Sequence, residues 1–446
     1  MGAQCFGSER RTLPRARSKG GTALASCVGM LGLVLTAGGA RGAYQAGVLE
    51  RIAELPALRG KASPFRVIAG ASAGAINGAM IAAGGDRLST GAREIARMWR
   101  TLRTHQVYRA DASALVSSAA KIARDLALGG VLGSTVTSGL LDTAPLDTTL
   151  RKAFPPRGIE AALRRGDLHA VAISATSYHS GRSYTFVQGR RGHAIWQKSR
   201  RVVLPTKLTH RHVLASAAIP GVFAPVRLGT DSRWAWFGDG GLRLVAPLSP
   251  AIRLGARHVL AVGVRSARAA STLASEEMGD AARALASPPL AQIFGVFLNA
   301  IFLDHLDADL DHLARMNGLV ARGREEALAG HGEGIRHIEP FVVAPSEDLA
   351  MIAKRFEHRL PRALRFLLAG LGTPDAQSAD LASYLLFDAR YTETLVDLGR
   401  RDVEAQRAEI EAFLESSGAL ARAHARTPGP RRVRAASAPL ASGARP

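Results

Sequence analysis

Two cysteines in 446 residues, Cys5 and Cys27, allow no disulfide framework, and no C-x-x-C or similar metal-ligand spacing occurs. No apolar run reaches the ~18–20 residues that a membrane-spanning helix needs. No internal repeat is visible, which sets aside solenoids and propellers. Acidic residues are scarce where the charge is concentrated. The chain carries a net charge of +21; residues 1–21 hold five basic groups against one acid, and residues 419–446 hold six arginines and no acid. Such tails suit an anionic partner, lipid headgroups or nucleic acid, or serve only as solubilising ends. No aromatic residue is interleaved in the C-terminal stretch for base stacking, so nucleic acid is disfavoured. The expectation is a cytoplasmic protein that attaches peripherally, through charge, to anionic membranes.

What is present is a chain with 47% apolar residues, enough for a sizeable core. Residues 1–28 read as a basic flexible segment. Basic residues up to Lys19 followed by the apolar run Thr22–Thr36 imitate a signal peptide, but cleavage there would sever a strand from the turn that follows it. Met30–Thr36 reads as a buried parallel strand. Tyr44, Val48, Leu49, Ile52 and Leu55 then share one helical stripe. Phe65–Ala69 is a second strand, broken at Gly70, and Ala73–Ala83 a second helix. Further strands are expected at Ala170–Ser174, Tyr184–Val187, Val202–Leu204, Trp234–Phe237 and His258–Val264. This strand–helix alternation gives an α/β domain over residues 29–265. From 266 to 418 the pattern is helical, and 419–446 reads as a basic disordered tail. Phe294, Phe297 and Phe302, with Leu290, Ile293, Leu298, Ile301 and Leu303, form helix core, line an acyl pocket or touch a bilayer.

Three short motifs carry chemistry. Gly70-Ala-Ser72-Ala-Gly74 is a G-x-S-x-G between a strand and a helix. A tight turn there lifts Ser72 clear of the sheet, and Gly70 and Gly74 remove clashing Cβ atoms. The bland alternative is a glycine turn chosen for helix–sheet packing. Gly38-Gly39-Ala40-Arg41-Gly42 opens the first helix, and its small residues expose backbone amides in a concave turn suited to a phosphate or an oxyanion. A dinucleotide loop fits less well, because Ala37 holds the first position of a G-x-G-x-x-G and no acidic ribose-binding residue ends the next strand. Asp239-Gly240-Gly241 follows an aromatic strand; it is ordinary turn chemistry or an aspartate aimed at the crevice of Ser72.

In this order, Thr36–Gly42, Gly70–Gly74 and Asp239–Gly241, with Leu214–Val226 between, resemble the signature of patatin-like phospholipases over residues 30–265. The C-terminal helices, Ser383–Phe387 included, resemble an extension of some bacterial members. The resemblance implies a three-layer α/β/α sandwich around a mostly parallel sheet. It also implies lipid acyl hydrolysis through a Ser–Asp dyad. Ser72 would be the nucleophile and Asp239 its base, with amides of the Gly38, Gly39, Ala40, Arg41 and Gly42 turn as oxyanion hole. No cofactor or metal is implied. Ala37 and Val245 depart from the family pattern, which commonly has glycine and a polar Asn near those positions. The competing readings are an α/β-hydrolase esterase with a histidine such as His258 completing a triad, and a catalytically weak membrane scaffold of the same fold.

Overall fold

Alternating side chains split the first strand between two cores. In the computed structural model, β1 (Met30–Leu35) sends Leu31, Leu33 and Leu35 into one buried cluster and Val34 into another, the period-two signature of a strand covered on both faces. The structure describes residues 29–425 apart from 85–86, most of 112–138, 191, 194–195, 199, 231–233, 267–289, 324–335 and 371–378. The segment expected to be flexible at 1–28, and residues 426–446 of the expected tail, lie outside the described residues.

A 3-10 turn at Gly39–Arg41 leads from β1 into α1 (Gly42–Glu54). Then come β2 (Val67–Ala71), α2 (Ala73–Ala83), α3 (Leu88–Thr101), α4 (Ala144–Ala153) and α5 (Pro156–Arg165). Next are β3 (Ala170–Ser177), β4 (Ser183–Gly189), β5 (Gln197–Lys198), β6 (Arg201–Pro205), α6 (His210–Ser216), β7 (Val226–Gly229) and β8 (Trp234–Gly238). The described part of the chain continues through α7 (Ser249–Arg253), β9 (Ala256–Val262), α8 (Leu290–Phe302), α9 (Asp304–Arg322), β10 (Glu339–Val343), α10 (Leu349–Phe356), α11 (Arg362–Gly370), α12 (Ala379–Leu385), α13 (Ala389–Ala405), α14 (Arg407–Ser416) and α15 (Ala419–Ala425).

The strands form one sheet in the order β10-β9-β1-β2-β3-β4-β6-β5, with β8 joining β3 and β7 joining β8. From β10 to β3 all neighbours are parallel. One face carries Leu31, Leu33, Ile68, Ile173 and Leu260 against α1–α3 and the C-terminal helices. The other carries smaller residues, Val67, Ala69, Ala172 and Ala261, against Leu248 and Leu254 around α7 and Leu306 and Leu313 of α9. The fold is a three-layer α/β/α sandwich with a mostly parallel sheet.

The second strand runs two residues further than expected, because Gly70 pairs with Leu35 and Ile173 instead of breaking the ladder. The region read as wholly helical after 265 contains β10, a strand at the end of the sheet path. Its Pro340 is tolerated at such an edge, since a missing N–H there leaves no ladder partner unpaired. The expected tail from 419 begins instead as α15, with Ala419, Leu420 and Ala423 buried and Arg422 bonded to the carbonyls of Gly29 and Ser417. The C-terminal helices share the core of the sheet. A Cβ on Gly47 would stand 1.9 Å from the Val396 carbonyl, and one on Gly399 2.3 Å from that of Tyr44, so α1 and α13 meet backbone to backbone. In α8, Leu298, Ile301 and Phe302 are core, whereas Ile293, Val296 and Phe297 are exposed; the Phe294 side chain lies outside the described residues. Among the described residues, no helix is long and apolar enough to cross a membrane.

Candidate active site

Parallel strands bring their carboxyl ends to one edge, and in an open α/β sheet that edge is where ligands bind. Here β1 ends at Leu35, beside Gly70 of β2, and the turns that follow the two strands are neighbours. Ser72 is the one non-glycine residue with positive φ among the described residues, at φ 55° and ψ −127°. Such a conformation costs on the order of 1–3 kcal/mol and persists only where its surroundings enforce it. They do so sterically. A Cβ on Gly70 would lie 2.3 Å from the Gly74 carbonyl, and one on Gly74 2.2 Å from that of Leu35. The Ser72 amide donates to Ser216 Oγ at 2.9 Å, and Ser216 Oγ donates to the Ser174 carbonyl at 2.6 Å. The first amides of α2, from Ala73 and Gly74, have no protein acceptor among the described residues.

The glycine turn is held differently. Beneath it, Gln45 Nε2 donates to the carbonyls of Thr36 and Val262, and Asn77 Nδ2 donates to the Gly42 carbonyl and to Gln45 Oε1. Trp99 Nε1 completes the chain by donating to Asn77 Oδ1 at 2.8 Å. Within the turn, the Arg41 amide donates to the Gly38 carbonyl and the Gly42 amide to those of Gly39 and Ala40. The amides of Gly38, Gly39 and Ala40 have no acceptor among the described residues. Ala37 takes a negative φ, so a side chain there is unstrained. The Arg41 side chain turns away into the protein, toward Asp380 and Ser383. Val245, the other departure from the family pattern, is exposed.

Asp239 follows β8 and is fully buried. Its amide donates to the Ala218 carbonyl and that of Gly240 to the Ser216 carbonyl, while Thr176 Oγ1 donates to the Asp239 carbonyl. The stretch 214–218 therefore ties Asp239 to the turn that carries Ser72. Gly240 packs on the Ser174 carbonyl and Gly241 on the Phe302 ring, and the Gly241 amide donates to Asp239 Oδ1 at 2.8 Å. Oδ2 makes no hydrogen bond of regular geometry. Burial pushes the Asp239 carboxyl up to about 7, against the opposing pull of the Ser72 hydroxyl and the Gly241 amide. The Ser72 hydroxyl is thus close enough to act on the carboxyl without a well-aligned bond, a looseness common in unliganded sites. Tyr178 packs over Gly238, and its hydroxyl is pushed up to about 12 by burial and by the Asp239 charge.

Ser72 faces a chamber lined by Ile76, Trp99, Leu146, Leu150, Phe223 and Phe387, among others. Its walls are almost wholly apolar. No histidine lines it among the described residues. His258 pairs with Leu31 of β1 and with Glu339, at the opposite end of the sheet from Leu35 and about 13 Å away along the strand. Its Nε2 meets Glu339 Oε2 at 3.1 Å. His258 is therefore excluded as the third member of a triad with Ser72. Sequence reasoning missed Ser216, Gln45, Asn77 and Asp380. Ser216 was signalled by its place in the Leu214–Val226 stretch, whereas nothing local marks the other three.

Residues 33–252 match the family model for patatin-like phospholipases. VipD from Legionella pneumophila is similar over 82% of this chain and 67% of its own, at 13% identity and a TM-score of 0.26. Human GIVD cytosolic phospholipase A2, solved with methyl gamma-linolenyl fluorophosphonate, is similar over 89% of this chain, at 15% identity and a TM-score of 0.38. This chain spans 60% of that human protein's length. The type III effector ExoU of Pseudomonas aeruginosa is similar over 86% of this chain and 79% of its own, at 15% identity and a TM-score of 0.26. No curated protein matches the chain significantly. Both turns and Asp239 fall within the matched residues, so residues 33–252 form a patatin-like phospholipase domain.

Proposed function

We propose that this protein hydrolyses acyl esters of phospholipid or another acyl lipid, with Ser72 as nucleophile and Asp239 as its only side-chain base. The observation that carries the reading is a strained serine beside a fully buried carboxyl whose pKa lies near neutrality, at the mouth of an apolar chamber. A base poised near the working pH combines a usable ionised fraction with enough basicity to take a proton. Asp239 receives the Ser72 proton as the hydroxyl attacks the ester carbonyl. The tetrahedral oxyanion falls to amides that have no other acceptor, those of Gly38, Gly39 and Ala40, with Ala73 at the start of α2. Collapse expels the alcohol portion, which takes the proton back from Asp239. A water, deprotonated by the same carboxylate, then attacks the acyl-enzyme, and Asp239 returns that proton to the Ser72 oxygen as the fatty acid leaves. The acyl chain enters the apolar chamber; the arginine-rich C-terminus draws the enzyme to anionic bilayers without spanning them.

Labelling with a fluorophosphonate and turnover of a medium-chain ester test this reading. The wild type labels and turns over; Ser72→Ala does neither while keeping its circular dichroism spectrum. Asp239→Asn loses about 10⁴-fold in turnover. Undiminished hydrolysis by Ser72→Ala overturns the assignment.

A further inference from the structure

The family match ends at residue 252, yet the glycine turn is gripped by residues more than a hundred positions beyond it. Arg41 has 2% of its surface exposed. Its Nε donates to Ser383 Oγ and its Nη2 to Asp380 Oδ1, both at 2.7 Å, and its guanidinium lies 4.4 Å from the centre of the Tyr384 ring. Asp380 is fixed in turn: Asn299 Nδ2 of α8 donates to its Oδ2 at 2.7 Å, and Tyr384 Oη donates to Asn299 Oδ1 at 2.9 Å. The same helical turn presses on the other side of Ala40, since a Cβ on Gly39 would stand 2.5 Å from the Tyr384 carbonyl. The segment is pinned beyond Tyr384 by Tyr108 Oη to the Leu385 carbonyl and Thr104 Oγ1 to that of Phe387, and Phe387 reaches the chamber beside Ser72.

We propose that Asp380 and Asn299 are positioning residues: through the Arg41 side chain they set where the Gly38–Ala40 amides stand, so the C-terminal helices complete the reactive turn as well as packing against it. A carboxylate suits this task because its two acceptor oxygens take one hydrogen bond from Arg41 and one from Asn299, joining the guanidinium to α8. Amides serve as a preorganised anion site only if their position is fixed before the charge develops. The consequence for turnover rests on the ester-hydrolase reading; the positioning itself does not.

Hydrogen exchange of the peptide Thr36–Tyr44, read by mass spectrometry, tests the grip whatever the reaction. Asp380→Asn leaves the new amide facing the Asn299 amide, so exchange in this peptide rises about tenfold or more while peptides of β3 and β9 hold their protection. Asn299→Asp opposes two carboxylates and does the same. The double variant reverses the polarity of that one hydrogen bond, keeps every partner occupied, and returns exchange to within about threefold of wild type. On a soluble ester, kcat per fluorophosphonate-titrated site drops about tenfold or more in each single variant with KM little changed, and recovers in the double. Unchanged exchange in both single variants, or loss of protection everywhere at once, overturns the proposal. A wild type that neither labels nor turns over, with the exchange pattern as described, instead overturns the hydrolase reading alone.

Discussion

Two turns leave neighbouring strands at the same edge of the sheet, and they are held in different ways. The turn that carries Ser72 is fixed by its own backbone: Gly70 and Gly74 let the chain fold against itself and against Leu35, and one side chain, Ser216, steadies the amide. The glycine turn at 38–42 also uses close backbone approaches, but it is fixed in addition by side chains from Gln45, Asn77 and Trp99 below and from Asp380 and Ser383 beyond. The first arrangement stores strain locally; the second spreads its support over helices far apart in sequence. A residue that must present one atom in one place benefits from a rigid local frame. A row of amides that must face a developing charge benefits from a frame adjustable by many contacts.

The largest expected effect breaks the buried carboxyl beside the Ser72 turn. Asp239→Asn removes the charge that burial disfavours. The folded carboxyl titrates near 7, and an unfolded one near 3.9. A group whose pKa is raised in the fold favours the folded state below about pH 4, and that contribution is lost as pH climbs through about 7. The variant should therefore match wild type in stability near pH 4 and exceed it by up to about 4 kcal/mol at pH 8, as urea titrations at the two values would reveal. Wild-type kcat/KM should climb with pH and level off above about 7. Flat stability differences across that range would show that the carboxyl is not raised by burial. Next comes Gly74→Ala, which breaks the local frame. Its methyl would overlap the Leu35 carbonyl, so a loss of about 3 kcal/mol, the upper part of the usual overpacking range, should accompany loss of labelling at Ser72. Normal labelling would mean that the strained turn tolerates a side chain and that its glycines serve only packing.

The difference between the turns also explains what could be read from the residues alone. Gly70, Ser72 and Gly74 impose their geometry within five positions, so the pattern announces itself. The stripe from Tyr44 to Leu55 and the apolar run of β1 are likewise local, and both appear in the core as expected. The supports of the glycine turn are not local. Gln45 and Asn77 sit on helices with apolar neighbours, and only the fold brings them under Thr36 and Gly42. The Arg41–Asp380 pair joins residues 339 apart. The short strands β5 and β7 are set by their pairing partners, and β10 carries a proline, so none has a strong period of its own.

Asn77→Ala loosens the second turn from below. It strips partners from the Gly42 carbonyl, Gln45 Oε1 and the Trp99 indole at once. Unpaired buried groups cost about 1–3 kcal/mol each, partly relieved by water or rearrangement. A net loss of about 2 kcal/mol is expected, with turnover per labelled site falling while the labelled fraction stays near one. An equal loss of labelling would show that the two turns depend on the same support, against the contrast drawn between them.

The smallest effect is expected at the other end of β9, and it sharpens the contrast by acting as its control. The Val262 carbonyl, where that strand finishes, accepts from Thr36 and Gln45 and so belongs to the support of the glycine turn. His258, where the strand begins, pairs with Glu339 of β10, whose side chain is about half exposed. A contact to so exposed a carboxylate contributes roughly 0.2–1 kcal/mol, and glutamine retains a hydrogen-bonding group of similar reach. His258→Gln should therefore lower stability by less than about 1 kcal/mol and leave kcat/KM and fluorophosphonate labelling within about twofold of wild type, since nothing at that edge touches the reacting serine. A collapse of turnover as deep as that of Asp239→Asn, in a variant still folded, would mean that a histidine serves Ser72 after all. It would also mean that the two ends of the sheet are coupled in a way their register does not express.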